Sequence, residues 1–167
     1  PPRPFREIEK AFRRSFGRSP KEAYRDIEEA PIAAASLGQV HVAHLTDGTK
    51  VAVKVLYPGI RDVIVVDMKV IALALRVYVK FLPFNGIERA KDALDDMLRR
   101  ETDYLHEASC MERMAKNFEG EDDVLFPSVV HALTSKDVLT MTFMEGIKIT
   151  KVDELEASLE ELLRDPK

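Results

Sequence analysis

Pro31-Ile32-Ala33-Ala34-Ala35-Ser36-Leu37-Gly38-Gln39-Val40-His41, followed shortly by Val51-Ala52-Val53-Lys54-Val55-Leu56, is the stretch that decides the fold. Pro31 breaks whatever precedes it and sets the chain extended. Val40, Val42 and His44 then alternate with Gln39, His41 and Ala43, the period-two pattern of a strand. Thr46-Asp47-Gly48-Thr49 is a turn, because Asp-Gly between two apolar runs favours a tight hairpin. Val51 to Leu56 is the return strand, and Pro58-Gly59 stops it. The stretch is therefore a hairpin with a run of small side chains at its entrance and a single lysine in its apolar return strand.

Upstream, Phe5, Ile8, Phe12 and Phe16 fall on one stripe at helical spacing, and Gly17 ends that helix. Ser19-Pro20-Lys21-Glu22 combines an N-cap, a proline at the first helical position and a capping-box glutamate, so a short helix to about Ile27 is expected. Downstream, the periodicity predicts a helix from Arg61 to Phe81 and a longer one from Ile87 to Phe118, separated by Pro83-Phe84-Asn85-Gly86. Strands are expected at Val129–Leu133 and Val138–Phe143, joined by Thr134-Ser135-Lys136-Asp137. Asp153 caps a last acidic helix from Glu154 to Leu163. Strands pair locally and helices are segregated from them, which makes the class α+β with an antiparallel sheet.

Composition narrows the function. The chain has 167 residues, 46% hydrophobic, enough for one packed domain and short for two. The net charge of −4 argues against a nucleic-acid partner. Residues 1–25 carry eight basic and three acidic side chains, +5, which leaves −9 for the remainder. A single cysteine, Cys110, excludes an internal disulfide framework, and His41, His44, His106 and His131 show no metal-ligand spacing, so no metal site is expected. Asp67, Lys69, Arg76 and Lys80 interrupt the apolar run from Val63 to Phe84, which reads as a buried or half-buried helix instead of a membrane span. The basic phenylalanine stripe could lie on an anionic membrane, although such stripes more often pack on their own domain. The opening Pro1-Pro2-Arg3 and the closing Pro166-Lys167 suggest a segment of a longer protein, without a visible signal peptide.

Four features carry chemistry. Ala33, Ala35, Gly38 and Val40 occupy the positions of the kinase phosphate loop G-x-G-x-x-G-x-V, with alanine at the first two glycines. Small residues let backbone N–H groups approach phosphate oxygens, but alanine is barred from conformations open to glycine, so a stiffer loop is expected. Val51-Ala52-Val53-Lys54 matches the kinase V-A-I-K strand, with Val for Ile. On the long helix, Leu94, Met97, Leu98, Tyr104, Leu105 and Ala108 share an apolar face with Glu101 in its middle. A carboxylate facing a core needs a cationic partner, and Lys54 is the candidate. Asp103 and Glu107 share a second face; a kink after Asp103 could turn Glu107 inward in place of Glu101. Finally, Val138 to Phe143 runs into Met144-Glu145-Gly146. In a kinase this is the last strand of the N-lobe and its hinge, with Met141 as gatekeeper and the backbone at Thr142 and Met144 meeting the adenine edge.

Pro31 to His41, Val51-Ala52-Val53-Lys54, Tyr57-Pro58-Gly59, Glu101-Thr102-Asp103-Tyr104 and Glu107-Ala108, in that order, resemble the UbiB/ADCK family of atypical kinase-like proteins. Its alanine-rich loop replaces the glycine-rich one, and E-x-D followed by E-A is its helix signature. The resemblance covers roughly residues 5 to 155. It implies a kinase N-lobe over 31–146, preceded by a helical extension over 1–30 and followed by a hinge and the start of a C-lobe over 147–167. It implies ATP or ADP binding with Mg2+, an atypical kinase or ATPase activity, and support of ubiquinone or other isoprenoid-lipid metabolism at mitochondrial, plastid or bacterial membranes. The partners would be a nucleotide and a membrane lipid or lipid-biosynthesis complex. Ala33, Ala34, Ala35, Ser36, Gly38 and Val40 would form the nucleotide loop, Lys54 would contact phosphate, and Glu101, Asp103 and Glu107 would carry the helix motif. The alternative is a non-catalytic kinase-like regulatory or lipid-binding module. Two departures stand: the family's K-x-G-Q segment is absent, and no catalytic loop or Asp-Phe-Gly follows Gly146, so no catalytic residue is assigned within this sequence.

Overall fold

The computed structural model describes residues 2–81 and 87–146. The expected turn at 83–86, the helix at 154–163 and the whole of 147–167 lie outside the described residues. In chain order the elements are α1 (Phe5–Phe16), α2 (Pro20–Ala23), β1 (Asp26–Ile27), β2 (Ala33–Ala34), β3 (Gly38–His44), β4 (Lys50–Leu56), α3 (Ile60–Phe81), α4 (Ile87–Glu101), α5 (Tyr104–Asn117), a 3-10 turn at His131–Leu133, and β5 (Val138–Thr142). The class is α+β, as the pattern predicts.

All the strands are antiparallel and run β1-β3-β4-β5 across one sheet, with β2 also against β3. Val40 lies opposite Lys54, and Lys54 opposite Leu139. Strand alternation therefore puts Val40, Val42, Ala52, Lys54, Leu139 and Met141 on one face of the sheet. Gln39, His41, Ala43, Val51, Val53, Val55, Val138 and Thr140 face the other way.

That second face carries the main core. Ile8 and Phe12 of α1, both fully buried, pack with Tyr24, Ala43, Val51, Val53, Val55 and Val138. The centre of the phenylalanine stripe, Ile8 and Phe12, thus covers the sheet, while Phe5 and Phe16 at its ends are half-buried. Gly17, at φ 70, closes α1 in the left-handed conformation. Among the described residues no helix is long and apolar enough to cross a membrane.

Three expectations are corrected. The second helix stops at Ala23, and Asp26–Ile27 pairs with β3 instead of extending it; four residues cannot outweigh a sheet edge that offers hydrogen bonds. The strand expected at Val129–Leu133 is a single bridge from Val129 to Met141 followed by the 3-10 turn. The helix expected as continuous over 87–118 breaks at Thr102-Asp103. The Thr102 hydroxyl turns back onto the Leu98 carbonyl (2.8 Å), and the Asp103 carboxylate caps a new helix by accepting from the Leu105 and His106 amides. A threonine bonding backwards and an aspartate in N-cap position make a local stop and restart. Hydrophobic periodicity alone does not register such a break.

Candidate functional site

The sheet face opposite α1 meets α5. Leu56, Tyr104, Ala108 and Leu139 form a smaller core there, with Leu37, Ile60, Met111, Val129 and Met141 packed around it. Lys54 stands at the edge of this cluster. Its Nζ donates to both carboxylate oxygens of Glu107, at 2.8 and 2.7 Å, and lies 4.8 Å from the centroid of the Tyr104 ring. The side chains of Lys54 and Glu107 are 21% and 40% exposed, so the pair is reachable from solvent and is not a sealed structural bridge.

The break at Thr102-Asp103 decides which carboxylate meets the lysine. It ends the apolar stripe of α4 and restarts α5 with a different phase. Glu101 is consequently exposed at the last turn of α4, and Glu107, one turn into α5, reaches Lys54. Of the two partners left open by the sequence, the structure selects Glu107. The stripe argument for Glu101 fails because it carries one helical phase across a stop. Asp103 is neither partner nor spectator: its carboxylate starts the helix that delivers Glu107.

The small-residue segment is a tight hairpin against the end of β4. Ala33 and Ala34 pair with Val40 and Gln39, and the Ala35 amide donates to the Gly38 carbonyl at 2.9 Å. Ser36 is exposed at its tip. Gly38 is required by space and not by backbone angle: a Cβ there would lie 2.5 Å from the Val55 carbonyl oxygen and 2.6 Å from the Tyr104 hydroxyl. Met141 is half-buried in the same small core, Thr142 follows it in β5, and Met144 is 44% exposed beyond the strand.

Tyr104 is the residue that sequence reasoning passed over as one more member of an apolar stripe. It is 2% exposed, its hydroxyl reaches the base of the hairpin at Gly38, and its ring lies beside the Lys54 ammonium. Burial, reinforced by the charges of Glu107 and Glu101, pushes its phenol well above the ordinary tyrosine range, so it stays neutral. A tyrosine directly after an N-cap aspartate, on the helix facing a strand lysine, is the signal that could have found it. Val40 lines the lysine's face of the sheet beside these groups. Ala33, Ala34, Ala35, Ser36, Gly38, Val40, Lys54, Asp103, Glu107 and Met141 therefore come from four segments that meet at one sheet face, and Glu101 stays apart from the lysine.

The chain is similar to known proteins over most of its length. Residues 1–164 match the profile of the ABC1 atypical kinase-like domain. The chain is 37% identical over 146 residues to an uncharacterized protein of Synechocystis, covering 86% of this chain and 26% of that protein. It is 33% identical over 163 residues to the probable serine/threonine-protein kinase abkA of Dictyostelium discoideum, covering 90% of this chain and 28% of that protein. Among solved structures, the Mycobacterium tuberculosis Rv3197–erythromycin complex superposes with a TM-score of 0.81 at 27% identity, covering 92% of this chain and 39% of that one. The chain spans under a third of the length of the curated relatives it matches here.

Proposed function

The chain belongs to the ABC1 atypical kinase-like family, and from that premise we propose that it is the nucleotide-binding half of an ATP- or ADP-dependent active site. The observation that carries the reading is the Lys54–Glu107 pair beside the Gly38 hairpin. A lysine oriented by a helix glutamate beneath a small-residue loop is the arrangement kinases use to hold α- and β-phosphates. The chemistry fits the ligand. Lys54 supplies a cation whose charge is only partly spent, since its partner carboxylate is itself 40% exposed. Ser36 at the hairpin tip offers an amide and a hydroxyl of the kind that accommodate phosphate oxygens. Met141 gives the apolar wall an adenine ring needs, and the chain at Thr142 and Met144 gives backbone edges for it.

What this chain's residues do in that reading is bind and orient. Lys54 neutralises phosphate charge, Glu107 holds the lysine in one rotamer, Tyr104 backs the ammonium from the apolar side, and Gly38 keeps the hairpin close to β4. Among the described residues no three His, Cys, Asp or Glu side chains converge to hold a metal. A Mg2+ would therefore be held through the nucleotide phosphates and residues outside these segments. The Ala35 amide is spent on the Gly38 carbonyl, so this loop offers fewer free amides to phosphate oxygens than a glycine-rich loop, and its alanines restrict the conformations it can adopt. In this reading the site supports ubiquinone or other isoprenoid-lipid metabolism at a membrane, as the family resemblance implies.

The test is calorimetric titration of ATP and ADP into the full-length protein and its Lys54→Ala variant. A fall in affinity of about tenfold or more is expected, as for loss of a charge-assisted contact. Unchanged affinity overturns the site. If the wild type binds neither nucleotide, the non-catalytic, lipid-binding module becomes the better account.

A further inference from the structure

Arg61, in the first turn of α3, makes a junction that the nucleotide reading does not use. Its Nε donates to the Thr102 carbonyl at 3.1 Å, and its two terminal nitrogens donate to the Asp137 carboxylate, to the same Thr102 carbonyl and to the Lys136 carbonyl, the last at 2.8 Å. One guanidinium thus joins three segments: the start of α3, the last turn before the α4–α5 break, and the turn leading into β5. The turn is anchored in its own right. The Leu56 amide at the end of β4 donates to the Asp137 carbonyl at 2.9 Å, and the Tyr104 amide donates to the Lys136 carbonyl at 3.2 Å.

The position of that junction matters. Thr102 and Tyr104 flank Asp103, the residue that starts α5, and Glu107 lies one turn further on. Arg61 therefore fixes the origin of α5 relative to β4, the strand that carries Lys54. A planar fork with five donors makes these four hydrogen bonds at once and in a fixed geometry, whereas an ammonium has only three donors on a single nitrogen. Without the fork, the Thr102 carbonyl at the end of α4 loses its partner, and the start of α5 is held to the turn by the Tyr104 amide alone.

We infer that Arg61 is a positioning residue: a latch that sets α5 where Glu107 meets Lys54. The inference rests on the nucleotide reading for its consequence at the site and on the Arg61 geometry for its cause. Releasing the latch lets α5 withdraw and separates the ion pair without changing any residue in the cleft. A switch of the site would then act at the Arg61–Asp137 junction, on the flank of the domain.

Two measurements on the full-length protein test it, with Arg61→Ala, with Arg61→Lys in case the alanine variant does not fold, and with Glu107→Ala. The first is amide hydrogen exchange. The latch predicts exchange across 105–112 faster by about tenfold or more in either Arg61 variant, with α1 unchanged. Equal exchange in α5 overturns the inference, and a uniform rise in both helices means general destabilisation and overturns it too. The second is affinity for a non-hydrolysable ATP analogue. Arg61→Lys should weaken it, and Glu107→Ala should add nothing further in the Arg61 background, since one event has already separated the pair. Retained affinity in the Arg61 variants, or losses that multiply, refutes the positioning role. If the wild type binds no analogue, the nucleotide reading fails, while the exchange result still decides whether the latch exists.

Discussion

The two faces of the β3–β4–β5 sheet are built from neighbouring residues of the same strands, yet they treat polar groups in opposite ways. On the α1 face every buried polar group is consumed internally. Thr140 donates to the Leu133 carbonyl at 2.6 Å, so Tyr24 must donate to the Thr140 hydroxyl, also at 2.6 Å. Gln39 and His41 are fully buried as well. The His41 Nδ1–H meets the Glu28 carbonyl, which leaves Nε2 to accept from the Gln39 amide, and Gln39 closes the network on the backbone of Arg3. On the α5 face the polar groups are a lysine and a glutamate whose pairing stays partly open to solvent. A satisfied buried network stabilises one packing, whereas a half-open ion pair keeps charge available for a third party. The contrast separates scaffold from site without reference to any relative.

The largest effect that would sharpen this contrast is Phe12→Ala on the scaffold face. Truncating a fully buried phenylalanine costs about 3–5 kcal/mol. Urea unfolding should show that loss, and the remaining folded fraction should bind nucleotide with unchanged affinity. Reduced affinity would mean that the two faces are not separable.

Gly38→Ala comes next and should affect both faces of the argument. The new methyl meets the Val55 carbonyl and the Tyr104 hydroxyl, and overpacking of this kind costs about 1–3 kcal/mol. Because it pushes the hairpin away from Tyr104, nucleotide affinity should fall as well. A variant as stable as wild type would show that the hairpin is not held close.

The two carboxylates provide a smaller and sharper pair. Glu107→Ala should cost about 1 kcal/mol or less in urea unfolding, because its pair with Lys54 is screened by solvent. Glu101→Ala should cost less still and leave nucleotide binding unchanged, while Glu107→Ala weakens it. The reverse order would restore Glu101 as the partner.

The smallest effect concerns pH. Burial holds the His41 imidazole below the ordinary histidine range, with the Glu28 carbonyl opposing only in part. The unfolded chain therefore binds a proton that the folded chain refuses, and stability should fall as pH drops through about 6.5 toward the folded value. A His41→Gln variant should show a shallower decline between pH 7 and 5. An identical slope in both proteins would place the acid sensitivity elsewhere.

The hairpin, the sheet class, the α1 stripe and the capping box at Ser19–Glu22 were legible in the sequence because each is a local pattern: alternation, an Asp-Gly turn, helical spacing, a cap three residues from its partner. Lys54 was legible for the same reason, from its place at the end of the local run Val51-Ala52-Val53-Lys54. The partner of that lysine was not, because it depends on where a helix restarts. Asp103 is visible as a possible cap, but whether the chain stops there depends on groups distant in sequence: Arg61 and Lys136 holding the Thr102 carbonyl and the Tyr104 amide.

Sequence alone thus determined the hairpin, the α1 stripe, the sheet class and the residue types that chemistry requires, since those follow from side-chain periodicity and local backbone preference. Tertiary structure decided which carboxylate faces the lysine, that Tyr104 rather than another stripe residue backs it, and that Gly38 is needed for space. Each of these turns on a distance of a few ångströms between segments far apart in the chain, and no local pattern encodes such a distance.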